Sequence, residues 1–145
     1  MFYGEHEHTI DRKGRVIIPS RFREVMKEHF VERFVVTRGL DHCLFLFPED
    51  EWRAQESRFR ALSFTKQESR RFNRFYFSGA VELTCDRQGR VLVPDYLKQF
   101  AGIKRDVVLV GVSNRIEIWD KEQWKKFHDE FKQSYEDIAE RLLPE

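Results

Sequence analysis

The sequence predicts an α+β protein built from two copies of one βαββ-type unit, with peripheral helices that include a long one at the C-terminal end. Three observations carry this. The run Thr9-Ile10-Asp11-Arg12-Lys13-Gly14-Arg15-Val16-Ile17-Ile18-Pro19 returns as Thr84-Cys85-Asp86-Arg87-Gln88-Gly89-Arg90-Val91-Leu92-Val93-Pro94, identical at seven of eleven positions and offset by 75 residues (86 − 11). Leu44-Phe45-Leu46-Phe47-Pro48 with Trp52 is matched by Ile116-Glu117-Ile118-Trp119-Asp120 with Trp124. Trp124, Phe127, Phe131, Tyr135, Ile138 and Leu142 then recur at helical spacing. Two copies are too few for a solenoid, and units near ~40 residues are marginal alone, so the copies are expected to share one core.

Each element follows from local chemistry. Glu5 to Ile10 and Arg15 to Ile18 read as strands joined by Asp11-Arg12-Lys13-Gly14. Asp at the first and Gly at the fourth position is a type I turn signature, and Gly admits the positive φ that closes the hairpin. Pro19-Ser20 stops the strand and caps a helix carrying Phe22, Val25, Met26 and Phe30. Phe34 to Thr37 and Leu44 to Phe47 are apolar strands around Arg38-Gly39-Leu40-Asp41. In the second copy Val81 to Cys85 and Val91 to Val93 flank Asp86-Arg87-Gln88-Gly89. Asp95 caps a short helix with Leu97 and Phe100 that Gly102 ends, and Val107 to Val112 and Ile116 to Trp119 flank Ser113-Asn114-Arg115.

Between the copies, Glu49, Asp50 and Glu51 suit a helix N-terminus, with Trp52, Phe59 and Leu62 on one face. Thr65-Lys66-Gln67-Glu68 has the capping-box pattern and opens a helix with Phe72, Phe75 and Tyr76. Asp120 starts the long C-terminal helix. The expected organisation is a first repeat over 5–50, a helical connector over 51–79, a second repeat over 80–123 and a C-terminal helix over 124–145.

Net charge is only +1, so the chain is no polycation, but charge is unevenly placed. Arg53 to Arg74 holds seven basic and two acidic residues, and Asp120 to Glu145 five basic and eight acidic. These are either solvated helix faces or complementary subunit surfaces. The N-terminus is charged from Glu5 on and no apolar run reaches the ~18 residues of a membrane span, so neither a leader nor a membrane partner is expected. Cys43 and Cys85 lack metal or redox spacing and read as buried reduced thiols of a cytosolic protein.

The candidate chemistry lies in the two turns. Arg12, Lys13 and Arg15, and Arg87 and Arg90, are projected from short hairpins framed by Asp11, Gly14, Asp86 and Gly89. Arg presents a planar fork of donors suited to phosphate oxygens and to the guanine major-groove edge. Asp and Gly alone make a good turn, and pairing of Arg with its Asp is the plainer account. Retention of Arg-x-Gly-Arg in both copies argues for more, because a turn requires neither Arg. Other chemistry is not indicated. His6 and His8 share a strand face, but a metal site wants three or four ligands and only His42 and Cys43 are further candidates. No nucleophile elbow, phosphate loop or catalytic constellation is present, so no enzyme activity, cofactor or metal is expected.

The two Asp-x-x-Gly-Arg-Val-x-x-Pro motifs resemble the AbrB/SpoVT-type DNA-binding unit. Their pairing, the opening Met1-Phe2-x-Gly4-Glu5, the stretch Phe77-Ser78-Gly79-Ala80-Val81-Glu82 and the stretch from Gly111 to Trp119 resemble the MraZ family of bacterial transcription regulators across essentially the whole chain. The resemblance implies a swapped-hairpin, AbrB-like β-barrel built from both halves. It implies binding of double-stranded DNA at direct repeats upstream of the division and cell-wall gene cluster, with repression of the protein's own operon. It also implies a homo-oligomeric ring and a cytoplasmic, nucleoid-associated location. By motif position the DNA-contacting arginines fall on Arg15 and Arg90, with Arg12, Lys13 and Arg87 as helpers. The competing class is a ring-forming protein-interaction scaffold without specific DNA recognition.

Overall fold

The computed structural model describes residues 1–143. Its frame is a six-stranded sheet and a separate two-stranded ribbon. The first copy supplies β1 (Phe2–Thr9), β2 (Arg15–Ile17), α1 (Ser20–Glu28), β3 (Arg33–Arg38) and β4 (Leu44–Pro48). Helices α2 (Glu49–Arg60) and α3 (Gln67–Ser78) follow. The second copy supplies β5 (Val81–Thr84), β6 (Arg90–Leu92), α4 (Asp95–Phe100), β7 (Asp106–Ser113) and β8 (Arg115–Asp120), and the chain continues through α5 (Lys121–Phe131) and α6 (Tyr135–Leu142).

The large sheet runs β1-β7-β8-β4-β3-β5, an order that is unchanged when the copies are interchanged. The first strand of each copy lies against the third strand of the other: β1 on β7 from Phe2↔Ser113 to Thr9↔Asp106, and β5 on β3 from Val36↔Val81 to Arg33↔Thr84. The copies meet at β4–β8, where Leu44↔Ile118 and Leu46↔Ile116 flank Phe45↔Glu117. In the ribbon, Arg15↔Leu92 and Ile17↔Arg90 flank Val16↔Val91. An approximate two-fold axis therefore runs from the Val16–Val91 pair to the Phe45–Glu117 pair.

Period-2 alternation sends the sheet's side chains into two cores. One face carries Phe34, Val36, Leu44, Leu46, Leu109, Ile116 and Ile118, covered by Phe22 of α1, Leu97 of α4 and Val16, Ile18, Val91 and Val93 of the ribbon. The other carries Phe45, Phe47, Val108, Val110 and Trp119, covered by Trp52, Phe59, Phe72, Tyr76 and Trp124 of the outer helices. With both faces covered, β4 reads as a continuous apolar run instead of an alternating one. The buried Glu117 is satisfied: Trp119 donates to one carboxylate oxygen (2.9 Å) and Arg115 to the other (2.9 and 3.0 Å).

Several expectations are corrected. The closed barrel is not formed among the described residues: β1 and β5 are free edges of an open sheet. A single bridge, Ile10↔Val16, joins β1 to β2, and three-residue strands ended by Pro19 and Pro94, which have no N–H to donate, are too short to close the sheet. The long C-terminal helix is two helices. At residues 132–134 the ladder tightens, with Ser134 N–H donating to the Phe131 carbonyl (2.8 Å), and α6 begins beyond it; the predicted end at 144–145 lies outside the described residues. Phe30 does not ride on α1. It adopts φ 56° and is 92% exposed, because the Val31 and Phe30 N–H groups bond back to Met26 and Lys27 in a Schellman cap, as Ile103 and Gly102 do to Lys98 and Gln99 after α4.

Leu62 lies past the end of α2 and is exposed. The Thr65–Glu68 capping box is not made; Thr65 pairs with the Ser63 hydroxyl (2.8 Å), and Lys66 occupies the cap position. Pro19 and Pro94, not Ser20 and Asp95, occupy the cap positions of α1 and α4, whereas Asp120 does cap α5 by accepting from Gln123 N–H. Cys43 is buried, but Cys85 is only half-buried; both are free thiols. Among the described residues no helix is long and apolar enough to cross a membrane.

Candidate nucleic-acid interface

The two motifs, distant in sequence, are brought together in one ribbon. Its strands alternate: Val16 and Val91 point into the core, while Arg15, Ile17, Arg90 and Leu92 stand on the outer face. The register places Arg15 and Arg90 as diagonal cross-strand neighbours, roughly 7–8 Å apart at the backbone. Each turn is locked by the other copy. The Gly14 carbonyl accepts from Val93 N–H (2.7 Å), and the Gly89 carbonyl from Ile18 N–H (2.9 Å). Gly14 and Gly89 have φ of +90° and +79°, a region suited to glycine.

Both turns share one internal geometry. Asp11 Oδ1 accepts from the backbone N–H of Lys13 and of Arg15 (2.9 Å each), and Oδ2 accepts from Arg15 Nε (2.7 Å). Asp86 does the same for Gln88 and Arg90 (2.9 Å each) and for Arg90 Nε (2.8 Å). The Gly14 and Gly89 N–H groups close the turns onto the Asp11 and Asp86 carbonyls (3.0 Å each). Each arginine is thus held through Nε, and among the described residues neither Nη group of either one has a hydrogen-bonding partner. Such a fork is pre-oriented, with its two outer nitrogens available to a ligand.

The carboxyls of Asp11 and Asp86 lie below the usual carboxylate range. The backbone N–H of Arg15 or Arg90 is the main cause, reinforced by that residue's guanidinium and opposed by partial burial. Because the folded values are depressed, the stability these contacts add is complete above the ordinary aspartate pKa and is lost as pH falls through the depressed values. An NMR titration of the two carboxyls is expected to give both midpoints below that of an aspartate in the unfolded chain.

Arg12, Lys13 and Arg87 are exposed at the turn tips. Ile17 and Leu92, which turn chemistry does not single out, lie between the arginines on the outer face, 39% and 54% exposed; alternation within Arg-Val-x-x-Pro is the sequence signal for them. Arg23, outside both motifs, is a further neighbour: its Nε donates to the Ile18 carbonyl (3.0 Å) and its side chain packs against Gly89. Lys98, Lys104 and Arg105 join Arg12 around a cleft beside the first turn.

The remaining candidates lead elsewhere. His6 packs edge-on against Phe22, and burial, with His6 nearby, lowers the His8 pKa. Burial pushes the Cys43 thiol far up, where its Sγ meets the Leu40 carbonyl, and raises Cys85 as well. Among the described residues no group of three or more His, Cys, Asp or Glu is placed to hold a metal ion.

Comparison with known proteins adds an independent line. The family described as "MraZ protein, putative antitoxin-like" matches the chain twice, over residues 1–75 and 76–144. A protein of Carboxydothermus hydrogenoformans named transcriptional regulator MraZ is 49% identical over 143 residues, covering 99% of this chain and 97% of that one. A protein of Syntrophomonas wolfei subsp. wolfei with the same name has the same identity and coverage.

Proposed function

The chain belongs to the MraZ family, and from that premise we propose that it is a transcriptional regulator that reads DNA with the outer face of the β2–β6 ribbon. The observation that carries this reading is the paired, Asp-anchored presentation of Arg15 and Arg90 on one exposed ribbon. A two-stranded ribbon fits the major groove, about 12 Å wide, and a guanidinium with both Nη groups available can grip guanine or phosphate. Arg12, Lys13 and Arg87 neutralise backbone phosphates and set position. The strand exchange between the halves supports reading the fold as an opened form of the swapped-hairpin unit, with 5–50 and 80–123 as the paired repeats.

Direct repeats near the protein's own promoter, in the division and cell-wall gene cluster, are the proposed operator, with repression as the outcome and the cytoplasm and nucleoid as the place. Direct repeats call for subunits in one repeated orientation, which a closed head-to-tail ring provides. The exposed Tyr135 and Leu142 of α6, and the opposite charge of the basic α2–α3 segment and the acidic C-terminal region, support such an assembly. One observation favours the scaffold reading: each arginine is already paired to its own aspartate.

Fluorescence anisotropy with duplex DNA from upstream of the gene separates the two. Intact repeats are expected to bind at least ~100-fold more tightly than scrambled ones. The log–log salt slope is expected to be about −3 or steeper, since each neutralised phosphate contributes roughly −0.9. Equal, weak binding to both duplexes would leave only the scaffold.

A further inference from the structure

The ribbon's outer face is nearly the same seen from either end. The two-fold exchanges Arg15 with Arg90 and Ile17 with Leu92, so these four side chains alone would dock equally well on DNA in two opposite orientations. Direct repeats demand one. Something outside the ribbon must break the symmetry.

The cleft beside the first turn does so. It measures about 620 Å³ and is lined by Thr9, Ile10, Asp11, Arg12, Lys98, Lys104 and Arg105. Four of these are cations, and the lone carboxylate, Asp11, is already occupied by Arg15 and two backbone N–H groups. The cations converge through strand exchange: Lys98 comes from α4 of the second copy, and the Ile10 N–H bonds to the Arg105 carbonyl (2.8 Å), tying the α4–β7 connection to the end of β1. Counter-charge lies on the far side of these cations, where Asp106, Asp120 and Glu122 line an adjoining cleft with Lys104 and Arg105, and Asp120 is engaged by the Lys104 backbone N–H (3.3 Å). Glu122 approaches Lys104 at 3.7 Å, but the two side chains are 82% and 78% exposed, so solvent screens the pair.

The second turn is built differently. There the counterpart of Lys98 is Arg23, which is engaged by the Ile18 carbonyl and packed on Gly89. Arg33 opposes Thr84 as Asp106 opposes Thr9, so Glu32 stands where Arg105 stands at the first turn. The Lys13 of the first turn is Gln88 in the second. The first end thus gathers Arg12, Lys13, Arg15, Lys98, Lys104 and Arg105 against Asp11 and Asp106, and the second Arg87, Arg90, Arg23 and Arg33 against Asp86 and Glu32, so both ends are basic and the first is the more so.

The geometry points to a phosphate-binding subsite at Lys98, Lys104 and Arg105. It grips the DNA backbone flanking the first turn and fixes the direction in which the pseudo-symmetric ribbon lies on each repeat. This inference rests on the DNA-binding reading. It makes the first turn the tighter grip and predicts a footprint that extends further on one side of each repeat.

The test uses the full chain with the triple variant Lys98→Gln/Lys104→Gln/Arg105→Gln. A charge-matched control, Lys27→Gln/Lys126→Gln/Lys132→Gln, changes exposed lysines away from the cleft. Anisotropy and hydroxyl-radical footprinting on the intact repeats are the readouts. The triple variant is expected to bind about 10- to 100-fold more weakly, with a salt slope shallower by roughly 2–3, and to lose the one-sided extension. The control keeps all three properties, and Lys98→Arg/Lys104→Arg/Arg105→Lys restores slope and footprint. A triple variant that behaves like the control while wild type still selects intact repeats overturns the subsite and leaves the DNA-binding reading standing. Wild type that does not distinguish intact from scrambled repeats overturns both.

Discussion

Arg15→Ala combined with Arg90→Ala is expected to remove specific DNA binding and leave the fold in place. Each guanidinium makes one Nε contact to an aspartate, in pairs whose side chains are 27–40% exposed, so the loss to stability is small. Asp11 and Asp86 each keep two backbone N–H donors, and the turns persist. On the DNA side, a good bidentate contact to a base is worth about 1–3 kcal/mol, so losing two costs about 2–6 kcal/mol, or roughly 30-fold to 10⁴-fold in affinity. The aspartates also lose the positive charge that screens them from phosphate, which pushes the effect toward the upper end. Arg15→Lys with Arg90→Lys separates charge from shape. It keeps the phosphate attraction and the salt slope but lacks the planar fork, so preference for intact over scrambled repeats falls while non-specific binding remains. Anisotropy on both duplexes measures each quantity, and a thermal melt checks the fold. Unchanged affinity in the double alanine variant would make the arginines turn clamps and nothing more.

The parts of this site that the sequence made legible are those set by local chemistry. Asp at the first turn position, Gly at the fourth and Pro at the strand end have meaning within a few residues, and the structure places all three as that chemistry requires. Pairing across the chain is another matter. Nothing in Thr9 to Pro19 states whether β2 pairs with its own neighbour or with β6, and nothing in β1 names β7 as its partner. For the same reason the contributions of Lys98, Lys104 and Arg105 to the first turn were hidden: they arrive from the other copy by strand exchange. Alternation did point to Ile17 and Leu92, but an apolar residue in a strand reads first as core.

The misread helices have a common cause. Apolar periodicity records which side chains share a face and is silent about the backbone ladder. The stripe from Trp124 to Leu142 continues across residues 132–134 although the helix does not. Met26 and Phe30 have i, i+4 spacing although Phe30 sits in a left-handed cap. The second copy held the better clue, since Gly102 fills the equivalent cap with a residue made for it.

The ribbon's dependence on both copies gives glycine substitutions unequal effects. Gly14 and Gly102 both have positive φ, +90° and +62°, so alanine at either strains the backbone by about 1–2 kcal/mol. Alanine also stiffens the unfolded chain similarly at both sites, and that contribution cancels between them. The surroundings differ. A Cβ at Gly102 meets nothing within 4 Å, whereas one at Gly14 runs into the Val93 carbonyl oxygen, a backbone atom that cannot rotate away. Gly14→Ala is therefore expected to cost about 3 kcal/mol or more, lowering Tm by roughly 10 °C, against about 1–2 kcal/mol and roughly 5 °C for Gly102→Ala. Circular dichroism melts of the two variants give the comparison. Relief of the collision separates Val93 from Gly14, breaks the bond from Val93 N–H to the Gly14 carbonyl and shifts the strand that carries Arg90. Gly14→Ala should then weaken operator binding well below its melting temperature with both arginines present, while Gly102→Ala loses stability and keeps its affinity. Equal melting of the two variants would mean that the first turn is not clamped by the second repeat, and the paired presentation of Arg15 and Arg90 would lose its structural basis.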